Sequence, residues 1–257
     1  MVIERRVGLF IFLTAAFCTA LTVGDIIGGK LFEVHLFGLT PIMSAGMISF
    51  PLTFLLTDLL NEFYGKKAAR FVTWVGFAMA VFSIGTIVAA VQVPIAPLTA
   101  SPDWTGITDA TFNNVFGGSL RILVASLVAY LVGQFIDIAA FQALKRLSHN
   151  KLLWLRATGS TIVSQLVDSI VVQWLAWYGL LSNGQIARIV ATSYVVKLVV
   201  AIGLTPLIYA GHVIMERWLG IEAVVLGPDG EPVPHHAPAP LPAVDEPAGP
   251  EAYAPGE

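Results

Sequence analysis

Eight polar side chains stand inside apolar runs, where burial needs a reason. Asp58, Asn61 and Glu62 fall within FPLTFLLTDLLNEFYGKKAAR, residues 50–70. Asp58 and Glu62 are four apart, so a helix sets them on one face, with Phe54 one turn earlier. Gln134 and Asp137 repeat the idea as Q-x-x-D, and Gln165 and Asp168 repeat it again, with Ser164 four residues before Asp168. Lys197 is the one base in the middle of an apolar run. Carboxylates accept hydrogen bonds, and amides both donate and accept. This set can hold a polar solute, and an ionisable residue inside a membrane marks a functional site by default. The rival reading for each residue is mutual satisfaction: Lys197 with Asp168 or Asp137, and each Gln with a backbone carbonyl. Asp25 and Lys30 read as an ion pair or as interfacial anchors.

The elements that carry these residues follow from composition. The chain has 257 residues, 56% hydrophobic and 12% charged, with a mean hydropathy of +0.77. Soluble domains carry about 25% charged residues, so this is an integral membrane protein. The spacing predicts an all-α polytopic fold with six transmembrane helices near 7–27, 40–61, 68–93, 119–143, 157–181 and 187–212. The first stretch resembles a signal peptide but reads as a retained helix. Arg5 and Arg6 precede the first span, and Lys66, Lys67 and Arg70 follow the second. Lys145, Arg146, Lys151 and Arg156 follow the fourth, and Arg217 follows the sixth. Lys30, Arg121 and Arg188 lie on the other side. The positive-inside rule then puts both termini in the cytoplasm.

The loop at 93–118 carries Phe112 and Phe116 four apart, as in a short amphipathic helix. Residues 1–220 are expected to form the transmembrane domain. Residues 221–257 turn rich in Pro, Ala and Glu and read as a disordered tail, with His235 and His236 as a solvated pair. Cys18 alone allows no disulfide within the chain.

Missing motifs narrow the function. There is no G-x-x-x-x-G-K-[ST], no H-E-x-x-H and no His/Cys grouping at metal spacing. The chain is expected to be no enzyme, to carry no ATPase of its own and to need no cofactor.

Three blocks resemble the queuosine precursor transporter family, also described as a vitamin uptake transporter family. They are residues 50–70, FNNVFGGSLRILVASLVAYLVGQFIDIAAFQALKR at 112–146, and LWLRATGSTIVSQLVDSIV at 153–171. The resemblance implies a multi-pass protein of the bacterial inner membrane that takes up 7-cyano-7-deazaguanine or 7-aminomethyl-7-deazaguanine for queuosine salvage. It also implies distant similarity to the substrate-binding subunits of energy-coupling-factor vitamin importers. The matching polar positions are Asp58, Asn61, Glu62, Gln134, Asp137, Gln165 and Asp168. The alternative is a vitamin or nucleobase transporter, or such a substrate-binding subunit. The residue types agree with a deazaguanine ligand. Its N–H edge suits carboxylates, its carbonyl suits an amide, and its ring suits Phe54, Phe135 or Trp174. The partners expected are this small molecule and lipid, with no nucleic acid; dimerisation is left open.

Overall fold

The computed structural model describes residues 4–28, 30–33, 42–101, 103–116 and 120–226. His235, His236 and the rest of the Pro-rich segment after 226 lie outside them. The elements in order are α1 (Arg5–Ile27), β1 (Leu31–Glu33), β2 (Ile42–Ser44), α2 (Phe50–Gln92), α3 (Asp109–Phe116), α4 (Leu120–Leu147), α5 (Leu153–Trp177) and α6 (Asn183–Val213). Among the described residues, four helices are long and apolar enough to cross a membrane: α1, α2, α4 and α6 with its extension to Trp218. α5 is not among them, because its inner face carries Arg156, Ser160, Thr161, Ser164, Gln165 and Ser169, all buried. Phe12, Phe71, Trp74 and Phe82 stand on the outside of the bundle. Apolar outside and polar inside is the pattern of a polytopic membrane protein.

α2 has 43 residues, roughly 65 Å at 1.5 Å per residue, about twice the hydrocarbon thickness of a bilayer. Gly65 breaks it, with φ 78° and ψ 176°, a conformation that is essentially glycine's alone. The break divides it into arms at 50–64 and 66–92. It also frees carbonyls at the end of the first arm, and these find partners across the fold. Arg6 Nη2 donates to Phe63 O at 2.8 Å, while Lys145 Nζ and the Val224 N–H donate to Glu62 O at 3.3 and 3.0 Å. Cations at a helix C-terminus also meet its negative dipole end.

The expected second span, 40–61, begins later. Its first part is β2, paired antiparallel with β1, followed by a 3-10 turn at Ala45–Ile48 capped by Ser44 Oγ accepting from Gly46 N–H. Pro51 sits in the first turn of α2, where a missing N–H costs nothing. The turn packs on the end of α1 so closely that a Cβ at Gly46 would lie 2.7 Å from Gly24 O. The other expected spans fall on helices displaced by up to four residues. α3 bears Phe112 and Phe116 with ring centroids 4.7 Å apart.

α4 and α5 are antiparallel neighbours joined by a tight turn, and they share the most extensive contact in the fold. Small residues let them approach: a Cβ on Gly133 would meet Asp168 Cβ at 3.3 Å, and one on Gly159 would meet Leu144 Cδ1 at 2.8 Å. α6 opens with a capping box, Ser182 with Gln185. One apolar cluster, including Leu13, Phe17, Leu60, Phe63, Met215 and Ile221, ties α1 and α2 to the segment after α6. Residues 221–226, where the tail was expected to start, fold back on the body. Ile221, Val224 and Leu226 are buried, and Leu226 exchanges two 2.9 Å hydrogen bonds with the Asn150 side chain.

Candidate functional site

The first arm of α2 turns a polar stripe inward: Thr53, Thr57, Asp58, Asn61 and Glu62 are all buried. The two threonines spend their hydroxyls on backbone carbonyls of their own helix, at 2.8 Å each. Asn61 and the carboxylates are left to reach across to α4 and α5.

Asp137 is fully buried on α4. Its Oδ1 accepts from Ser160 Oγ and Ser164 Oγ, both at 2.9 Å. Those serines are four apart on α5, so one helical face supplies both donors. The level of Asp137 is thereby set against Ser160–Ser164. Gly133, one turn back on α4, lies against Asp168. Antiparallel packing therefore brings Gln134 to the level of Gln165 and Asp168. Asp58 enters from α2, within electrostatic reach of Asp137. Gln142 Nε2 donates to Asn61 Oδ1 at 2.7 Å, fixing that amide with its Nδ2 still unused.

Asp58 Oδ1, Asn61 Nδ2, Gln134 Oε1, Asp137 Oδ2, Gln165 Oε1 and Ser169 Oγ are all buried without a hydrogen-bond partner in the protein. Among the described residues, only Arg6 Nε and Asn113 Oδ1 share that condition elsewhere. An unmade buried hydrogen bond costs about 1–3 kcal/mol. Six on the facing sides of three helices make an arrangement suited to a polar solute: four carbonyl or carboxylate oxygens, one hydroxyl and one amide donor.

Glu62 belongs to a different group. Arg156 grips it with two contacts, Nη2 to Oε1 at 2.6 Å and Nε to Oε2 at 3.0 Å, and Lys145 Nζ donates to Oε2 at 2.9 Å. His212 Nε2 stands 3.8 Å from Oε1, with its Nδ1 3.4 Å from Glu216. Arg156 Nη1 also donates to the carbonyls of Asn150 and Lys151. A cavity of about 350 Å³ opens beside this cluster, lined by Glu62, Lys145, Arg156 and His212 on one side and residues 222–225 on the other. Lys145 and Arg156, which read from sequence as loop charges, are 1% and 3% exposed. Their spacing carried a signal: Lys145 is eight residues after Asp137, and Arg156, Ser160, Ser164 and Asp168 step by four along one face.

Asp168 pairs with Lys197 at 2.5 Å, which is one of the two pairings the sequence left open. Lys197 Nζ also lies over the Phe50 ring, 5.5 Å from its centroid. Asp25 accepts from Ser126 Oγ at 3.4 Å. Of the rings considered for stacking, Phe54 lies against Phe50, Phe135 against Trp74, and Trp174 against Tyr178. Gln142, Ser160 and Ser169 are contributors to the polar face that sequence reading passed over.

The family described as "Putative vitamin uptake transporter" matches residues 44–211, which span all eight polar residues first singled out. The chain belongs to this family. As a member of this transporter family it is a multi-pass membrane protein whose substrate is a small molecule. It is 31% identical over 207 residues to the "Probable queuosine precursor transporter" of Bacillus subtilis (strain 168), covering 80% of this chain and 83% of that protein. It is 30% identical over 133 residues to the "Probable queuosine precursor transporter" of Haemophilus influenzae, covering 52% of this chain and 51% of that protein. It is 29% identical over 133 residues to the "Queuosine precursor transporter" of Escherichia coli (strain K12), covering 52% of this chain and 54% of that protein. No solved structure matches the chain.

Proposed function

We propose that this transporter carries deazaguanine precursors of queuosine across the bacterial inner membrane. The observation that carries the reading is the set of six buried, unpartnered polar atoms on the facing sides of α2, α4 and α5. A deazaguanine presents adjacent N–H donors and one carbonyl acceptor. Asp58, Asp137, Gln134 and Gln165 accept from its N–H groups, and Asn61 Nδ2 donates to its carbonyl. Such a site rejects analogues lacking those donors, because its own polar groups would then stay buried and unpaired. Glu62 and the Asp168–Lys197 pair shape the surroundings, holding helices in register rather than touching the base.

The proposed topology has six spans, with α2 crossing twice about Gly65 and both termini in the cytoplasm. The basic turns at 66–70 and 145–151 support it. The chain acts as a carrier and not an enzyme; it handles the free base, engages no nucleic acid, and can work alone or as a homodimer. The test is uptake of labelled 7-cyano-7-deazaguanine into cells unable to make it, with and without this gene. Uptake that is equal in both would sink the reading. Cysteine labelling from outside should reach positions beside Asp103 and miss those beside Lys67; the reverse would overturn the orientation.

A further inference from the structure

We infer that Asp58 and Asp137 together hold one exchangeable proton, and that this proton crosses the membrane with the substrate. The inference rests on the carrier reading above and adds a coupling ion to it.

The argument is a census of buried charge. On α2, Glu62 takes both Lys145 of α4 and Arg156 of α5. On α5, Asp168 takes Lys197 of α6. His212 of α6 stands between Glu62 and Glu216. From α1, Asp25 takes the Ser126 hydroxyl. None of the ion pairs among the described residues reaches Asp58 or Asp137. Yet these two carboxyl groups are 2% and 0% exposed, and the Asn61–Gln142 and Glu62–Lys145 contacts lay the first arm of α2 along α4, with Asp58 one turn before Glu62 and Asp137 two turns before Lys145. Glu62 and Arg156 reach Asp58 as well. Counted together, four inward carboxyl groups, Asp58, Glu62, Asp137 and Asp168, face three cations, Lys145, Arg156 and Lys197, so one carboxyl of the neighbouring pair keeps a proton. Asp137 already takes two hydroxyl hydrogens on Oδ1, so the negative charge belongs there. Asp58 Oδ1 has no donor at all, so the proton belongs on Asp58.

The proton also completes the recognition chemistry. A carboxylate only accepts, whereas a carboxylic acid donates as well. Protonated Asp58 still accepts from a base N–H through its carbonyl oxygen, and its O–H adds a second donor for the base carbonyl beside Asn61 Nδ2. Proton and substrate then occupy the site together. The proton leaves outer water for the Asp58 carboxylate. It passes to inner water when the site opens there and the pair is hydrated.

Two measurements on the full-length protein test this. Infrared spectroscopy of the purified protein near pH 7 should show a protonated-carboxyl C=O stretch that Asp58→Asn removes. If wild type and Asp58→Asn give the same spectrum in that region, the proton site is overturned, whatever the substrate. In proteoliposomes, one pH unit of inward proton gradient should raise accumulation of labelled 7-cyano-7-deazaguanine about tenfold. In Asp58→Asn the ratio with and without the gradient should fall to one, whatever rate remains. Should that variant not fold, gradient-independent accumulation by wild type, with exchange of labelled for unlabelled base intact, still overturns the coupling. A wild type with the carboxyl band but no exchange would sink the deazaguanine reading and leave the proton site standing.

Discussion

Replacing Glu62 by Gln removes the counter-charge of two buried cations at once. Arg156 and Lys145 would keep their burial, 3% and 1% exposed, while three charge-assisted contacts at 2.6, 2.9 and 3.0 Å lose the charge that drives them. Breaking a buried ion pair from one side costs about 3–5 kcal/mol, because the partner is stranded rather than because the pair itself was worth so much. For a chain of this size that is a fall of roughly 6–20 °C in melting temperature. Thermal unfolding in detergent, with membrane abundance beside it, is the assay. Glu216→Gln is the control, since Glu216 is 45% exposed and such changes stay within about 0.5 kcal/mol. Adding Arg156→Met to Glu62→Gln should recover a large part of the loss, because it removes one stranded charge. A Glu62→Gln protein that melts within about 2 °C of wild type would refute the claim that Glu62 is a structural counter-ion. If it also failed to bind substrate, Glu62 would return to the recognition site.

Asp168→Asn should destabilise by about 2–3 kcal/mol, less than a fully buried pair because Asp168 and Lys197 keep some exposure, and Lys197→Met added to it should restore stability; normal stability in the single variant would break the pairing argument. Gly65→Ala should lower membrane abundance and melting temperature, by about 1–3 kcal/mol, since φ 78° with ψ 176° penalises any Cβ; an unchanged melting curve would mean the break relaxes freely. Truncation after Leu226 should insert and transport normally, whereas truncation after Gly220 should not, because it removes Ile221, Val224 and Leu226 from their buried places; equal behaviour of the two truncations would show that this return segment is dispensable.

The polar faces were legible in the sequence because helical spacing is local. Four-residue steps placed Asp58 with Glu62, and Ser164 with Asp168, before any tertiary contact was known. The partner of each charge was not legible, since that depends on which helix lies opposite. Lys145 and Arg156 near a loop look the same whether they serve as topological signals or bind Glu62 inside the bundle at 2.9 and 3.0 Å. The start of the second span was not legible because Ile42, Met43 and Ile48 are as apolar in a hairpin and a 3-10 turn as they would be in a helix. Gly65 could be read as a boundary between two spans, but not as a one-residue break joining two helical arms directly. The fold-back at 221–226 rests on three apolar residues beside a long Pro-rich stretch, too short a run to outweigh the composition around it.

The carbonyls of Glu62 and Phe63 have a consequence for biogenesis. Their partners come from Arg6 at the start of the chain, Lys145 near its middle and Val224 close to its end. The ribosome delivers these three at widely separated times. Arg6 can meet the Phe63 carbonyl once α1 and α2 are made, whereas the Glu62 carbonyl waits for Lys145 and then for Val224. Val224 thus acts as a late clasp on a bend that is made early.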